Sequence, residues 1–453
     1  MALSLDPIAL TGTQQEIVYA DGQGTLALGG VAGSGKTLTA AHRAAQLARM
    51  TPRRANEAAV LVLCYNQALA QALRTLLQRF PKQALYRIEV RTMHQWCWPY
   101  VKHQVGTGHV VDAPTQLQLV REAIRTLRED IGPHPVFRRH PAFFLEEIRL
   151  IKGCSIHDEA AYLAPDIDRS GAFPVDEYRL VFAVAQRYSQ LLRERGQIDF
   201  DDYASLARAA RTTARRPLHY DHVIVDEAQD LSSTQLDLVQ DVARCSLLVI
   251  SDPQQAIYRA LQRADDRDET ADLHMLPISF RTTAQIWTAA ARLLPLQSGP
   301  LPLRHGPAPT WHRFRWREDE AIFIRTTVEQ LLVAGRHLSD IAILARRHEV
   351  LQPITAELAR RGIEGGDQCD LTITTIHAAK GREFRVVIIA GLVEGVLPCV
   401  RPDMDRVAAE QEVALAARQL YVAMTRAGDQ LWLTGSEGAP SRFLTLLGLE
   451  DAA

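Results

Sequence analysis

Short apolar runs recur along the chain, each ending at a turn or polar signal. Thr25–Gly30, Val60–Cys64, Val223–Asp226 and Leu247–Asp252 read as buried strands. Helical patterns follow them, as over Thr37–Arg49, and this alternation predicts a parallel sheet with crossover helices. A second set lies at Ile341–Ala345, Leu371–Thr375, Val386–Ala390 and Gln430–Thr434, so two α/β units bracket the chain. Between them, residues 98–215 carry helical segments at Thr115–Glu129, Ala142–Ile151 and Glu177–Arg195, broken by Pro and Gly. That stretch predicts an all-helical insertion in the first unit. Leu293–Pro309, rich in Pro and Leu, reads as a link to the next strand, and no fixed-period repeat or low-complexity tract is present.

Composition adds exclusions. With 453 residues, 47% hydrophobic and 23% charged, the chain is an ordinary globular sequence of roughly two to four domains. Its apolar runs, such as Val60–Cys64 and Val386–Ala390, fall far short of the ~20 residues that cross a bilayer, which predicts no membrane span. Met1 to Leu10 lacks a basic stretch followed by an apolar one, so a cytoplasmic protein is expected. Cys64, Cys97, Cys154, Cys245, Cys369 and Cys399 are scattered without metal-ligand spacing and read as reduced, mostly core thiols. A formal net charge of −2 places any polyanion site in a local groove, not on the surface at large.

Chemistry enters at Gly30-Val-Ala-Gly33-Ser34-Gly35-Lys36-Thr37, a G-x-x-x-x-G-K-[ST] match that follows a strand and opens a helix. Its glycines let backbone N–H groups and the helix N-terminus face the β- and γ-phosphates, Lys36 adds a point charge, and the Thr37 hydroxyl can ligate Mg²⁺. Val223-Ile-Val-Asp226-Glu227 then places two carboxylates where an apolar strand stops, and alternating side-chain directions give them different jobs. Asp226 is expected to hold the Mg²⁺, and Glu227 to take the proton of the water attacking the γ-phosphate. A nucleoside triphosphate hydrolase follows from the pair.

With those motifs in place, the chain resembles the UvrD/Rep family of superfamily 1 helicases along nearly its whole length. Leu10-Thr-Gly-Thr-Gln14-Gln15 resembles the adenine-reading segment, with Gln14 on the base edge. Tyr65-Asn66 and Thr92-Met-His94-Gln-Trp96 resemble the two segments that face single-stranded DNA in the first RecA-like domain. Gln255 through Tyr258-Arg259 resembles the coupling segment, where Gln255 would sense the γ-phosphate and Tyr258 and Arg259 would approach DNA. Ser279-Phe280-Arg281 resembles the segment whose aromatic ring stacks on adenine and whose arginine reaches the γ-phosphate. In Thr375-Ile-His377 through Lys380-Gly381-Arg-Glu383, Thr375 and His377 would face DNA and Glu383 the ribose, while Arg426 would be the arginine finger.

The resemblance implies an α/β fold of two RecA-like P-loop NTPase domains with parallel sheets, the first at 1–97 and 216–278, the second at 279–453, with 98–215 as the helical accessory insertion. It puts Lys36, Thr37, Asp226 and Glu227 on one wall of a cleft and Arg281 and Arg426 on the other. ATP and Mg²⁺ are the implied cofactors, and the expected catalytic set is Glu227, Lys36, Gln255, Arg281 and Arg426. Gly30, Gly33, Ser34, Gly35, Lys36, Thr37 and Leu38 would line the nucleotide with Gln14, Phe280 and Glu383. Two departures stand out: Ala260 where the family carries a stacking tryptophan, and Leu38 where it carries an arginine. The stretch from Phe280 to Thr372 also leaves no room for the second accessory domain of larger members.

The expected activity is an ATP-dependent, 3′-to-5′ single-stranded DNA translocase and helicase, working on single strands and single/double-strand junctions, with the oligomeric state open and a monomer favoured. The alternative is a DNA-stimulated ATPase switch acting with a partner such as a nuclease. A small-molecule kinase would leave six segments unexplained, and RNA stays open because stacking tolerates either sugar.

Overall fold

A computed structural model describes residues 10–52, 58–105, 110–164, 167, 174–211, 219–252, 272–294, 301–367, 369–400, 404 and 406–449. Eleven strands are found among them: β1 Gly24–Gly30, β2 Val60–Cys64, β3 Ile88–Thr92, β4 Tyr220–Val225, β5 Ala243–Ser251, β6 Asp272–Leu276, β7 Thr310–Phe314, β8 Ile341–Ala345, β9 Thr372–Thr375, β10 Phe384–Ile389 and β11 Ala427–Ser436. They form two sheets, ordered β3-β2-β4-β5-β1-β6 and β7-β11-β10-β8-β9. The pairs β2–β3, β2–β4 and β4–β5 in the first sheet run parallel, as do all four neighbouring pairs of the second. Every residue of β2 and of β8 is buried, as expected for strands covered on both faces.

The described residues fall into two compact units. The first lies within Met1–Leu28, Thr37–Ser251 and Tyr258–His274, the second within Gly29–Lys36, Asp252–Ile257 and Met275–Ala453. Among the described residues no helix is long and apolar enough to cross a membrane.

In the first unit, helices Met93–Val105 and Tyr203–Ala210 pack with Leu61, Leu63, Val223 and Val225 of the sheet in one core. Helices Ala113–Ile131, Pro141–Gly153, Glu159–Leu163 and Val175–Glu194 share a separate core that includes Leu119, Phe144, Ile148, Tyr162, Phe182 and Tyr188. Proline or aspartate starts three of these helices, where the missing N–H or the carboxylate acceptor suits the first turn. Arg43, 1% exposed, donates to the carbonyls of Val18, Ala20 and Asp21. It thereby fastens the end of helix Gly12–Tyr19 to helix Lys36–Met50.

Strands β3, β6 and β7 are absent from the sequence reading. Thr-Trp-His-Arg-Phe in β7 alternates with polar residues because it lies at the sheet edge, and only Trp311 is buried. All six cysteines are free thiols, but only Cys64 and Cys97 are buried, so the expectation of mostly core thiols is corrected. Burial pushes the Cys97 thiol up to about 12.

Candidate functional site

The phosphate loop turns on two left-handed glycines, Gly33 at φ 75° and Gly35 at φ 87°, a region that favours residues without a Cβ. Gly33 is also a close approach within the second unit: an added Cβ would lie 2.4 Å from Cβ of Arg281. Lys36 is 7% exposed. Its ammonium donates to the carbonyls of Gly30 at 2.6 Å and Val31 at 3.1 Å, and pairs with Asp252 at 3.2 Å. The helix it opens has no acidic residue in its first turn, which leaves the positive end of the dipole to an anion.

In the first unit, Thr37 Oγ1 donates to Asp226 Oδ2 at 2.8 Å. Asp226 is 1% exposed, and its other oxygen accepts from the Glu227 N–H at 3.1 Å. Glu227 itself sits at φ 59°, one of two non-glycine residues with positive φ among the described residues. That conformation costs on the order of 1 kcal/mol or more. The Gln229 amide donates to the Glu227 carboxylate and steadies it. Gln14 is buried, and its amide oxygen accepts from the Thr11 N–H at 2.9 Å in a capping box.

Within the second unit, the Phe280 N–H donates to the Gly33 carbonyl at 2.9 Å, and the Phe280 ring is 43% exposed. Arg281 pairs with Glu383. Arg426 is 2% exposed, donating to the carbonyls of Val422 at 3.1 Å and Arg382 at 3.4 Å. Ser34 is buried on the loop, and Leu38 is half-buried on the helix that follows. Gln255, Tyr258, Arg259 and Ala260 lie outside the described residues.

The expected strand-facing residues separate into two groups. Tyr65 and Asn66 are half-buried after β2, with Asn66 Oδ1 accepting from the Leu69 N–H at 2.8 Å. His94 is half-buried, its ring 5.1 Å from Phe200 and 5.5 Å from Tyr203, and burial lowers its pKa. Burial thus favours the uncharged form of the ring. Thr375 caps the turn after β9 by accepting from the Ala378 N–H, and desolvation followed by the charge of Lys380 lowers the pKa of His377.

Two of the expected strand-facing residues are buried. Trp96 is 3% exposed, packed in the first unit's core with its indole N–H donating to the Tyr220 hydroxyl at 3.3 Å, so it has no face to offer a base. Thr92 is 5% exposed, with its hydroxyl accepting from the Gln95 N–H at the start of the same helix. The exposed rings nearby are others: Trp98, 39% exposed, stacks on Tyr203 at 6.0 Å and 22°, and Phe200, 46% exposed, leans on the same tyrosine at 5.4 Å. Helical spacing could have found this, because Met93, Trp96, Cys97 and Val101 form one stripe and Trp98 lies off it.

Trp96→Ala is expected to destabilise the protein by about 3–5 kcal/mol in denaturant unfolding. Trp98→Ala, which removes a partly exposed ring stacked on Tyr203, is expected to cost about 1–2 kcal/mol in the same measurement.

Comparison with known proteins gives this arrangement a family. The UvrD/REP helicase N-terminal domain matches residues 10–265, more than half of the chain, and the UvrD-like helicase C-terminal domain matches residues 366–438. The chain belongs to the UvrD/REP helicases. Among similar family members, the "ATP-dependent DNA helicase PcrA" of Bacillus subtilis is 36% identical over 115 residues, 25% of this chain and 14% of that protein. The "DNA helicase IV" of Escherichia coli is 24% identical over 299 residues, 59% and 42% of the two chains. The "ATP-dependent DNA helicase UvrD1" of Mycobacterium tuberculosis is 26% identical over 396 residues, 78% and 49%. The UvrD/REP chain described here thus spans less than half the length of these relatives.

Proposed function

We propose that the protein is an ATP-dependent motor that steps along single-stranded DNA, as a translocase and helicase of 3′-to-5′ polarity. The observation that carries the reading is the pair of adjacent carboxylates beside the phosphate loop, Asp226 bonded to Thr37 and Glu227 bonded to the Gln229 amide. In that division of labour, Lys36 and the loop amides bind the β- and γ-phosphates, and Glu227 accepts the proton of the attacking water. Gln255, Arg281 and Arg426 complete the catalytic set, with Phe280 and Gln14 on the base and Glu383 at the ribose. Arg426 would have to leave the carbonyls of Val422 and Arg382 to meet a phosphoryl group, which makes it a switchable contact.

The donor set suits Mg²⁺, because a hydroxyl and a carboxylate oxygen converge within 2.8 Å and this hard ion accepts few protein ligands. Thr37 and Asp226 would hold it. When bound, it would neutralise charge on the β- and γ-phosphates.

The strand is proposed to run over Tyr65, Asn66, His94, Trp98 and Phe200 of the first unit, and over Thr375 and His377 of the second. Tyr258 and Arg259 would join them. Stacking and backbone contacts of this kind are sequence-tolerant, as stepping demands. The ATP cycle would make the two sets grip in alternation. Residues 98–215 would act as an accessory insertion in the first RecA-like domain. Arg121, Arg125 and Arg128 are exposed along one helix face without ion-pair partners among the described residues, and with Glu129 and with Arg139, which pairs with Glu177, they line a concavity of about 660 Å³. That concavity suits the phosphates of a single/double-strand junction.

The burial of Trp96 favours one second reading, a DNA-stimulated ATPase switch working with a partner such as a nuclease, because it removes an expected stacking ring. Matched single-stranded DNA, duplex and RNA oligomers in a steady-state ATPase assay test the proposal. Single-stranded DNA should stimulate turnover most, and turnover indifferent to all three would overturn it.

A further inference from the structure

The turn that displays Phe200 is built from acids. Asp199 Oδ1 accepts from the N–H groups of Asp201 at 3.0 Å and Asp202 at 3.2 Å, and Asp202 Oδ2 accepts from the Asp199 N–H at 3.1 Å. Phe200 lies between the two ends of this reciprocal cap. Two carboxylates so close repel each other and pay for partial burial, and burial together with Asp199 raises the pKa of Asp202. One ammonium offsets both: Lys152 Nζ lies 2.7 Å from Asp199 and 2.8 Å from Asp202, with the Lys152 side chain 12% and that of Asp199 1% exposed. The Tyr188 hydroxyl donates to Asp199 Oδ2 at 2.9 Å, and Arg149 stands 3.8 Å from Asp201.

Lys152 is itself held in place. The Thr234 hydroxyl is 3.0 Å from the Lys152 carbonyl, 2.9 Å from that of Gly153 and 2.7 Å from the Ser155 hydroxyl. Thr234 belongs to helix Ser233–Val242, which begins shortly after Glu227. The backbone carrying the ammonium is thus docked on the ATPase part of the first unit, and the ammonium fixes a turn at the base of the helical insertion.

We propose that Lys152 is a positioning residue for DNA: by clamping Asp199 to Asp202 it holds the turn that presents the Phe200 ring to the strand. The inference rests on the reading that Phe200 meets DNA. A ring held by a locked turn loses little further freedom on stacking, and freeing the turn moves that entropy cost onto DNA binding.

The test is a double-mutant cycle on the full chain with Lys152→Met, Phe200→Ala and their combination, plus Lys152→Arg, read as the single-stranded DNA concentration for half-maximal ATPase. Lys152→Met should raise that concentration about tenfold while leaving DNA-independent ATPase and the KM for ATP within about twofold. Added to Phe200→Ala it should change nothing further, and Lys152→Arg should restore most of the loss. Equal penalties from Lys152→Met with and without Phe200, or an equal fall in DNA-independent turnover, would overturn the positioning role. No effect of Phe200→Ala alone would overturn both the proposal and the strand path on which it rests. Should Lys152→Met fail to fold, Tyr188→Phe, which removes one donor to the same carboxylate, should raise the half-saturating concentration about twofold to threefold only when Phe200 is present, and an equal rise without Phe200 overturns the role.

Discussion

Glu227→Gln is expected to lower DNA-stimulated ATP turnover by about 10²–10⁴-fold, the range over which a positioned general base contributes. ATP and single-stranded DNA should still bind with half-saturation within about twofold of wild type. The reason lies in the local geometry. The substitution keeps the left-handed backbone, the side-chain length and an oxygen able to accept from the Gln229 amide, so only basicity is lost. Unfolding stability should therefore be unchanged within about 0.5 kcal/mol. Pre-steady-state ATP cleavage with parallel binding titrations checks the outcome, and a turnover loss below about tenfold would remove Glu227 from the general-base role.

Lys36→Ala has the second large effect, and it combines two costs. The first is loss of the phosphate-binding cation, which should abolish measurable ATP turnover. The second is structural: Asp252, 1% exposed, loses the ammonium 3.2 Å away, and removing one side of a buried ion pair is destabilising, by up to about 3–5 kcal/mol. The variant should melt several degrees below wild type even without nucleotide. Adding Asp252→Asn should recover most of that melting temperature and none of the turnover. Thermal unfolding and ATPase assays of the single and double variants separate the two costs. A single variant as stable as wild type would show that the pair contributes nothing to the fold.

How far the molecule was legible in its sequence depends on the range of the signal. The phosphate loop and the acidic strand end were readable because their chemistry needs fixed residue types at fixed spacing over a few residues. The buried strands were readable where both faces are covered, as in Val60–Cys64 and Ile341–Ala345, and not where an edge strand alternates polar and apolar, as in Thr310–Phe314. Trp96 shows the limit of motif reasoning, since its place in a family segment pointed to DNA and its place on a helix stripe pointed to the core. The stripe prevailed because burying an indole is worth several kcal/mol. The clamp on Asp199 and Asp202 was invisible, because Lys152 lies 47 residues from Asp199 and nothing local marks the pairing. Likewise, the retention of Arg426 on the carbonyls of Val422 and Arg382 depends on a backbone path that only folding creates.

The stepping motor is tested most directly by steady-state ATPase rate as a function of single-stranded DNA length, at saturating Mg²⁺ and ATP, with Lys36→Ala as the blank. A motor that binds at random and runs to a strand end spends a growing fraction of its time stepping as strands lengthen. The rate should then climb with length to a plateau well beyond the ~4–16 nucleotides of a single binding site. A rate that saturates at the length of one site and stays flat would contradict translocation and leave a DNA-stimulated switch.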